Sequence, residues 1–348
     1  MRIAQVAPLY EAVPPTLYGG TERVVSLVTE ELVRRGHDVT LFASGDSKTA
    51  ARLVSVTPRA LRLDGTNREV LAAAFTRQLD LVFRNARDFD LIHCHVDYHA
   101  YPFSGLVRTP TLHTVHGRLD LPYLVPVYRQ FAHVPLVSIS DAQRAPLAGL
   151  GLTWAGTVHH GLTPERFPFS PEPDGYVAFL GRLAAEKQPD VAIEVAKRAG
   201  VTLRIAAKID AADREYFDRV VAPLLDDPLI EYIGEIGDAE KAAFLGGARA
   251  LLFPIDWPEP FGLVMIEAMA CGTPVIARPC GSVPEVVRPG VNGFIADSVS
   301  DLAEAVKRID TIDRARCRRD FEQRFSVARM VDDYEALYRR ACARVRAA

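Results

Sequence analysis

The chain has 348 residues, 41 Lys and Arg against 44 Asp and Glu, a formal net charge of −3, and 49% hydrophobic against 24% charged residues. That balance lacks the clustered basic charge that nucleic-acid binding needs, so no nucleic-acid partner is expected. No run approaches the roughly 18–20 uncharged apolar residues of a membrane span, and Met1-Arg2-Ile3 enters a strand rather than a signal-peptide core, so the expected location is the cytoplasm.

Because domains usually hold about 100–200 residues, two domains with one cleft are expected. In chain order, Ile3–Ala7 reads as a strand, Gly20–Arg35 as a helix closed by Gly36, and Asp38–Ala43 as the next strand. Leu91–Cys94, Thr111–Val115, Leu136–Ile139 and Gly156–His159 are further β-rich runs bounded by Pro, Gly or charge. Residues 164–174 hold Pro164, Pro168, Pro171 and Pro173 and read as a linker.

The alternation then restarts with strands at Tyr176–Leu180, Thr202–Ala206, Ile230–Ile233, Ala250–Pro254 and Pro274–Ala277. Between them lie helices at Pro189–Ala199, Asp213–Leu225, Ala239–Gly246 and Phe261–Ala270. Arg318–Arg346 reads as mainly helical, with a break near Ser326. Strands alternating with helices imply parallel, doubly wound sheets, whose ligands bind beyond the carboxyl ends of the strands.

Cys94, Cys271, Cys280, Cys317 and Cys342 lack C-x-x-C spacing and read as small buried hydrophobes, without a disulfide frame or zinc cage. All nine histidines precede residue 161, which marks the two halves as chemically different.

The most informative window runs Asp256-Trp-Pro-Glu259-Pro-Phe261-Gly262-Leu263-Val-Met-Ile-Glu267-Ala-Met-Ala-Cys-Gly-Thr-Pro-Val. Glu259 sits in a Pro-bracketed loop before a helix, and Glu267 lies within it among apolar groups, where an ionised carboxylate needs partners such as ligand hydroxyls. Phe261-Gly262-Leu263 would offer free N–H groups at the helix start. Taken alone, the two acids could equally be a loop acid and a glutamate satisfied by nearby backbone. In Gly181-Arg182-Leu-Ala-Ala-Glu-Lys187, two cations follow a strand end, where they can neutralise a diphosphate or form a solvated basic pair. Tyr18-Gly19-Gly20-Thr21-Glu22 lets backbone approach a ligand at a helix start, or makes a plain tight turn. His116-Gly117 closes a strand.

Together these windows resemble the family-4 retaining glycosyltransferases, whose Glu-x7-Glu motif matches Glu259 and Glu267, over nearly the whole chain. The resemblance implies an α/β fold of GT-B type: two doubly wound Rossmann-like domains facing across a cleft, with residues 1–163 as the acceptor-side domain and 175–325 as the nucleotide-sugar domain. The C-terminal helix, 326–348, would return to the N-terminal domain. By the same resemblance Glu259 contacts the transferred sugar's hydroxyls, Glu267 binds the ribose, and the amides of Phe261, Gly262 and Leu263 line the sugar pocket. Arg182 and Lys187 stabilise the leaving nucleoside diphosphate. Gly19 and Gly20 face the donor phosphates and acceptor, His116 lies beside the reacting sugar, and Ile236, in Gly234-Glu235-Ile236, marks the turn that holds the base. One departure is Gln188, where the family often has Gly. A second is His160-Gly161-Leu162-Thr163, in place of the usual Asn-Gly-Val/Ile-Asp; it is assigned no chemistry.

The implied reaction moves a hexosyl unit from a nucleoside-diphosphate sugar, most commonly a uridine diphosphate sugar, to a hydroxyl acceptor on a glycan, lipid-linked sugar or small metabolite. Configuration is retained by front-face attack, without metal or cofactor. A non-catalytic nucleotide-sugar or glycan-binding module is the alternative from another class, and a related phosphorylase or synthase the alternative within it. His93-Cys94-His95, with His99, has metal-like spacing but lacks a further recognisable ligand set. Asp88-Phe89-Asp90 reads as a solvated strand entry, and the apolar stretch Leu119–Phe131 as core packing or acceptor contact. Peripheral membrane contact and oligomeric state are left open by the sequence.

Overall fold

In the computed structural model, which describes residues 1–16, 19–62 and 67–347, the chain divides into two compact units. The first comprises Met1–Gly161 with Val327–Ala348, and the second Leu162–Ser326.

The first unit is built on seven parallel strands, β1 (Arg2–Val6), β2 (Asp38–Phe42), β3 (Arg52–Val54), β4 (Leu91–Cys94), β5 (Thr111–Thr114), β6 (Leu136–Ser138) and β7 (Trp154–Thr157). Their order is β3-β2-β1-β4-β5-β6-β7. Every residue of β4 and β5 is buried, as a parallel sheet covered on both faces requires. Helix α1 (Gly20–Arg34) buries Val24, Val25, Val28 and Leu32, a stripe at helical spacing, and α2 (Arg68–Arg84) starts where the Asn67 side chain accepts the Val70 N–H.

The second unit has six parallel strands, β8 (Tyr176–Arg182), β9 (Leu203–Lys208), β10 (Ile230–Gly234), β11 (Ala248–Phe253), β12 (Val275–Ala277) and β13 (Gly293–Ile295), ordered β10-β9-β8-β11-β12-β13. Its longer helices are α3 (Pro189–Ala199), α4 (Asp238–Gly246), α5 (Leu263–Ala270), α6 (Val299–Lys307) and α7 (Arg314–Arg324). The last helix, α8 (Val327–Ala347), belongs to the first unit, where it buries Tyr334 and Tyr338 completely. Its Asp332 accepts from the Arg35 guanidinium at 2.6 Å and its Glu335 meets His37 at 3.0 Å. Among the described residues no helix is long and apolar enough to cross a membrane.

Each strand order reverses direction once, between β1 and β4 in the first unit and between β8 and β11 in the second. Loops leaving two such neighbouring strands diverge to opposite faces and open a crevice at their carboxyl ends. Gly19 and Gly20 follow β1, Arg182 and Lys187 end and follow β8, and Glu259 follows β11, whereas His116 follows β5 and Ile236 follows β10.

Several elements differ from expectation. β3 and β13 are three-residue edge strands, too short to give a periodic signal, and α2 and α6 also went unanticipated. The helix expected over 213–225 is a succession of short turns, including a π-helical turn at Phe217–Val221, before Pro223, which has no N–H to continue a ladder. The proline-rich stretch 164–174 is packed on the second unit instead of forming a separate linker. Its carbonyls at Pro164 and Phe167 accept from Arg318, and that of Ser170 accepts from Arg314. Ser170 and Asp174 N–H groups donate to Cys271 and Gly247. Prolines remove donors and leave acceptors, and two arginines of α7 use those acceptors.

Helix α7 is fastened by a buried carboxylate. Asp320, 5% exposed, accepts from Arg288, Arg324 and Asn292, each at 2.8 Å. Asp320→Ala strands a buried amide and a largely buried guanidinium, and is expected to cost about 3–5 kcal/mol in chemical denaturation. A loss under about 1 kcal/mol contradicts this role.

Candidate active site

In the second unit the site grows from the ends of β8 and β11. Arg182 closes β8, and its guanidinium meets Glu186 at 2.6 Å, Asp213 at 2.8 Å and Asp210 at 3.8 Å. A single turn, Ala185–Lys187, follows, and Gln188 then takes left-handed backbone angles (φ 55°, ψ 50°) before Pro189 opens α3. The departure from Gly at 188 therefore falls where a residue without Cβ is least strained. Lys187 donates to the Glu259 carboxylate and lies 4.6 Å above the Trp257 ring and 5.8 Å from that of Phe253. A carboxylate and two aromatic faces thus hold one ammonium.

Glu259 sits in the loop between β11 and α5, and Gly281 fixes that loop. Gly281 has φ 55°, and a Cβ on it would lie 2.3 Å from the Glu259 carbonyl oxygen and 2.4 Å from its nitrogen. Next to it, the Ser282 N–H donates to the Glu259 carbonyl at 3.0 Å and its hydroxyl to the Phe261 carbonyl at 2.7 Å. Gly262 is left-handed (φ 77°), so α5 begins at Leu263, two residues later than expected, and Glu267 lies little more than one turn in. The first N–H groups of α5 are left without intrahelical acceptors beside Glu259. Glu267 is 4% exposed and is answered by Lys241 at 3.3 Å, which also meets Asp238 at 3.4 Å. Ile236 is half-buried in the loop from Gly234 (φ 80°) to α4.

The first unit carries the remaining candidates. Gly19 precedes α1 at φ 152°, where a Cβ would come within 2.8 Å of Pro15 Cβ, and Gly20 is the first helical residue; Tyr18 lies outside the described residues. Glu22, in the first turn, is 4% exposed, and burial pushes its carboxyl up to about 7. His116 lies just past β5. Its ring stacks on His160 with centroids 5.4 Å apart. Burial pushes the His116 imidazole down to about 3. Both ring nitrogens of His93 and His95 are engaged by protein partners, and among the described residues no three His, Cys, Asp or Glu side chains gather as a metal site. Asp90 pairs with Arg2 at 2.9 Å, while Leu119, Leu124 and Tyr128 are core residues and Tyr123 is exposed.

The structure therefore places Arg182, Lys187, Ile236, Glu259, Phe261, Gly262, Leu263 and Glu267 on the second unit, where it joins Lys187 to Glu259, and Gly19, Gly20 and His116 on the first. Sequence reading did not find Lys241, Asp213, Gly281 and Ser282. They are ordinary residue types at unremarkable spacing, and only the fold brings them to Glu267, Arg182 and Glu259.

Two switched parallel sheets with this motif set define a GT-B glycosyltransferase fold. Residues 18–166 match the family model described as Glycosyltransferase Family 4, and residues 165–324 match Glycosyl transferases group 1. The chain belongs to the family-4 glycosyltransferases. It is 27% identical to a D-inositol 3-phosphate glycosyltransferase of Mycolicibacterium smegmatis, across 94% of this chain and 88% of that protein. Among solved structures it resembles AviGT4, a glycosyltransferase involved in avilamycin A biosynthesis, at 25% identity and TM-score 0.74, covering 99% of this chain and 98% of that one. It also resembles Anabaena HepE in complex with UDP-glucose, at 17% identity and TM-score 0.72, covering 97% and 99%.

Gly281→Ala should displace the Glu259 loop, lowering glycosyl transfer by at least about tenfold while circular dichroism stays native; unchanged transfer contradicts the packing argument. Glu22 gives a pH prediction. Its folded pKa of about 7 exceeds the ordinary 4.5, so the stability it confers is full below 4.5 and is lost as pH rises through 7. Glu22→Gln should match wild type near pH 4 and exceed it by about 2 kcal/mol near pH 8 in denaturant titrations. Parallel curves for the two proteins contradict this.

Proposed function

We propose that this chain transfers a hexosyl unit from a uridine diphosphate sugar to a hydroxyl acceptor, with retention of configuration and without a metal ion. The observation that carries the reading is the state of the two cations at the β8 end. Arg182 and Lys187 are both held by carboxylates, Glu186 and Asp213 for the first and Glu259 for the second. A diphosphate can replace those partners, because a guanidinium fork and an ammonium match its oxygens and its charge.

When Lys187 turns to phosphate, Glu259 is released to accept from sugar hydroxyls. Departure of the diphosphate places charge on its bridging oxygen, and Arg182, Lys187 and the first amides of α5 are the groups here that can stabilise it. Glu267 with Lys241 suits a ribose diol, the carboxylate accepting both hydroxyls. The uridine assignment is supported by the HepE complexes with UDP and UDP-glucose. Glucose-type or galactose-type sugars, and a glycan, lipid-linked or small-metabolite acceptor, all fit this reading. The cytoplasmic location expected from composition is part of the same proposal.

Arg182→Ala and Lys187→Ala should each lower kcat/KM for transfer by about a hundredfold or more with the fold intact, and wild-type activity should persist in excess EDTA. Near-normal transfer by both variants overturns the assignment of the cations. Complete loss in EDTA overturns metal independence.

A further inference from the structure

The first unit contains a buried chain of hydrogen bonds that ends on His116. Gln5 of β1 is the register partner of His93 on β4. The Gln5 amide nitrogen donates to the Tyr338 hydroxyl at 3.2 Å, and its carbonyl oxygen lies 3.0 Å from His95 Nε2. His95 Nδ1 lies 2.8 Å from His116 Nε2. On the other branch, the Tyr338 hydroxyl is 2.8 Å from His93 Nδ1, and His93 Nε2 is 2.7 Å from Thr114 Oγ1. Gln5, His93, His95 and Tyr338 are all 1% exposed or less.

We infer that Gln5, His95 and Tyr338 are positioning residues that fix His116 as its Nε2–H tautomer, with Nδ1 left as a bare, enclosed lone pair. The role in transfer rests on the function proposed above; the tautomer does not.

The Gln5 carbonyl oxygen can only accept, so His95 Nε2 carries the proton. Burial keeps His95 and His116 neutral, so His95 Nδ1 is a lone pair and must accept from His116 Nε2–H. His116 Nδ1 is then unprotonated, and it is buried with no hydrogen-bond partner among the protein groups. Along the other branch the Tyr338 hydroxyl receives from Gln5 and donates to His93 Nδ1, and His93 Nε2–H donates to Thr114. Reversing the chain would require the Gln5 amide to turn over and would leave an N–H at His116 Nδ1 facing no acceptor, and buried N–H groups of that kind are rarer than bare lone pairs. The enclosed, unprotonated Nδ1 and the committed Nε2–H leave His116 with no proton to give to a substrate hydroxyl.

The test is long-range 1H–15N spectroscopy of the ligand-free chain labelled at histidine, with His116 assigned by its absence in His116→Ala. The expected result is a pyridine-type Nδ1 and a pyrrole-type Nε2 at His116. His95→Asn, whose amide oxygen can replace the Nδ1 acceptor, should keep that signature and hold kcat within about threefold. His95→Leu should mix the tautomers and lower kcat about tenfold, the value of one lost hydrogen bond. A pyrrole-type Nδ1 in the wild-type chain overturns the inference, as does an unchanged His116 signature in a folded His95→Leu. The spectrum needs no turnover, so a chain that proved inactive would refute the proposed function and leave the tautomer measured.

Discussion

The ion pair between Lys187 and Glu259 ties the turn after β8 to the loop after β11, and the second unit's site is arranged about it. These two strands are neighbours although α3, β9, β10 and α4 lie between them in sequence, because the strand order reverses there. The pair is largely buried, with side-chain exposures of 18% and 12%, so each charge depends on the other or on a ligand that replaces it. Loss of either partner leaves an uncompensated charge, which is costlier than the pair itself is stabilising. A site of this kind is set to exchange partners rather than to stay closed.

Backbone constraints hold the pair in place. Gly281 packs against the Glu259 main chain at distances no Cβ allows, and Gly262 turns left-handed so that α5 starts with its free amides beside the loop. Lys241 serves Glu267 as Lys187 serves Glu259. Two carboxylates and two lysines thus compensate one another within a chain whose net charge is near zero. In the first unit the solution is different: enclosed neutral histidines satisfy one another by tautomer choice, with Tyr338 of α8 closing the chain. This gives a use to His93, His95 and His116 among the histidines of the first half, whose concentration in the sequence had no evident purpose.

The sequence disclosed much of this architecture because its strands are short apolar runs between Gly, Pro and charge, and because Glu259, Glu267, Arg182 and Lys187 sit in a recognisable motif. It disclosed less where tertiary contacts decide. The edge strands β3 and β13 carry three residues each and owe their form to a neighbouring strand. The proline stretch looked like a linker because prolines cannot extend a helix, yet its carbonyls are acceptors that Arg314 and Arg318 reach from about 150 residues away. The His93-x-His95 spacing resembled a metal site, and what fills both rings is Gln5, Thr114, Tyr338 and His116, drawn from three further places in the sequence. A pattern of residue types does not tell which partner a polar side chain will meet across a sheet.

We propose the β8 end as a diphosphate site whose cations exchange protein carboxylates for phosphate. Calorimetric titration of the metal-free chain with UDP and with uridine tests it most directly, because the two ligands share the base and ribose and differ in the diphosphate. UDP should bind at least about a hundredfold more tightly than uridine, roughly 3 kcal/mol from the charge-assisted contacts. Equal affinity for the two ligands would contradict it.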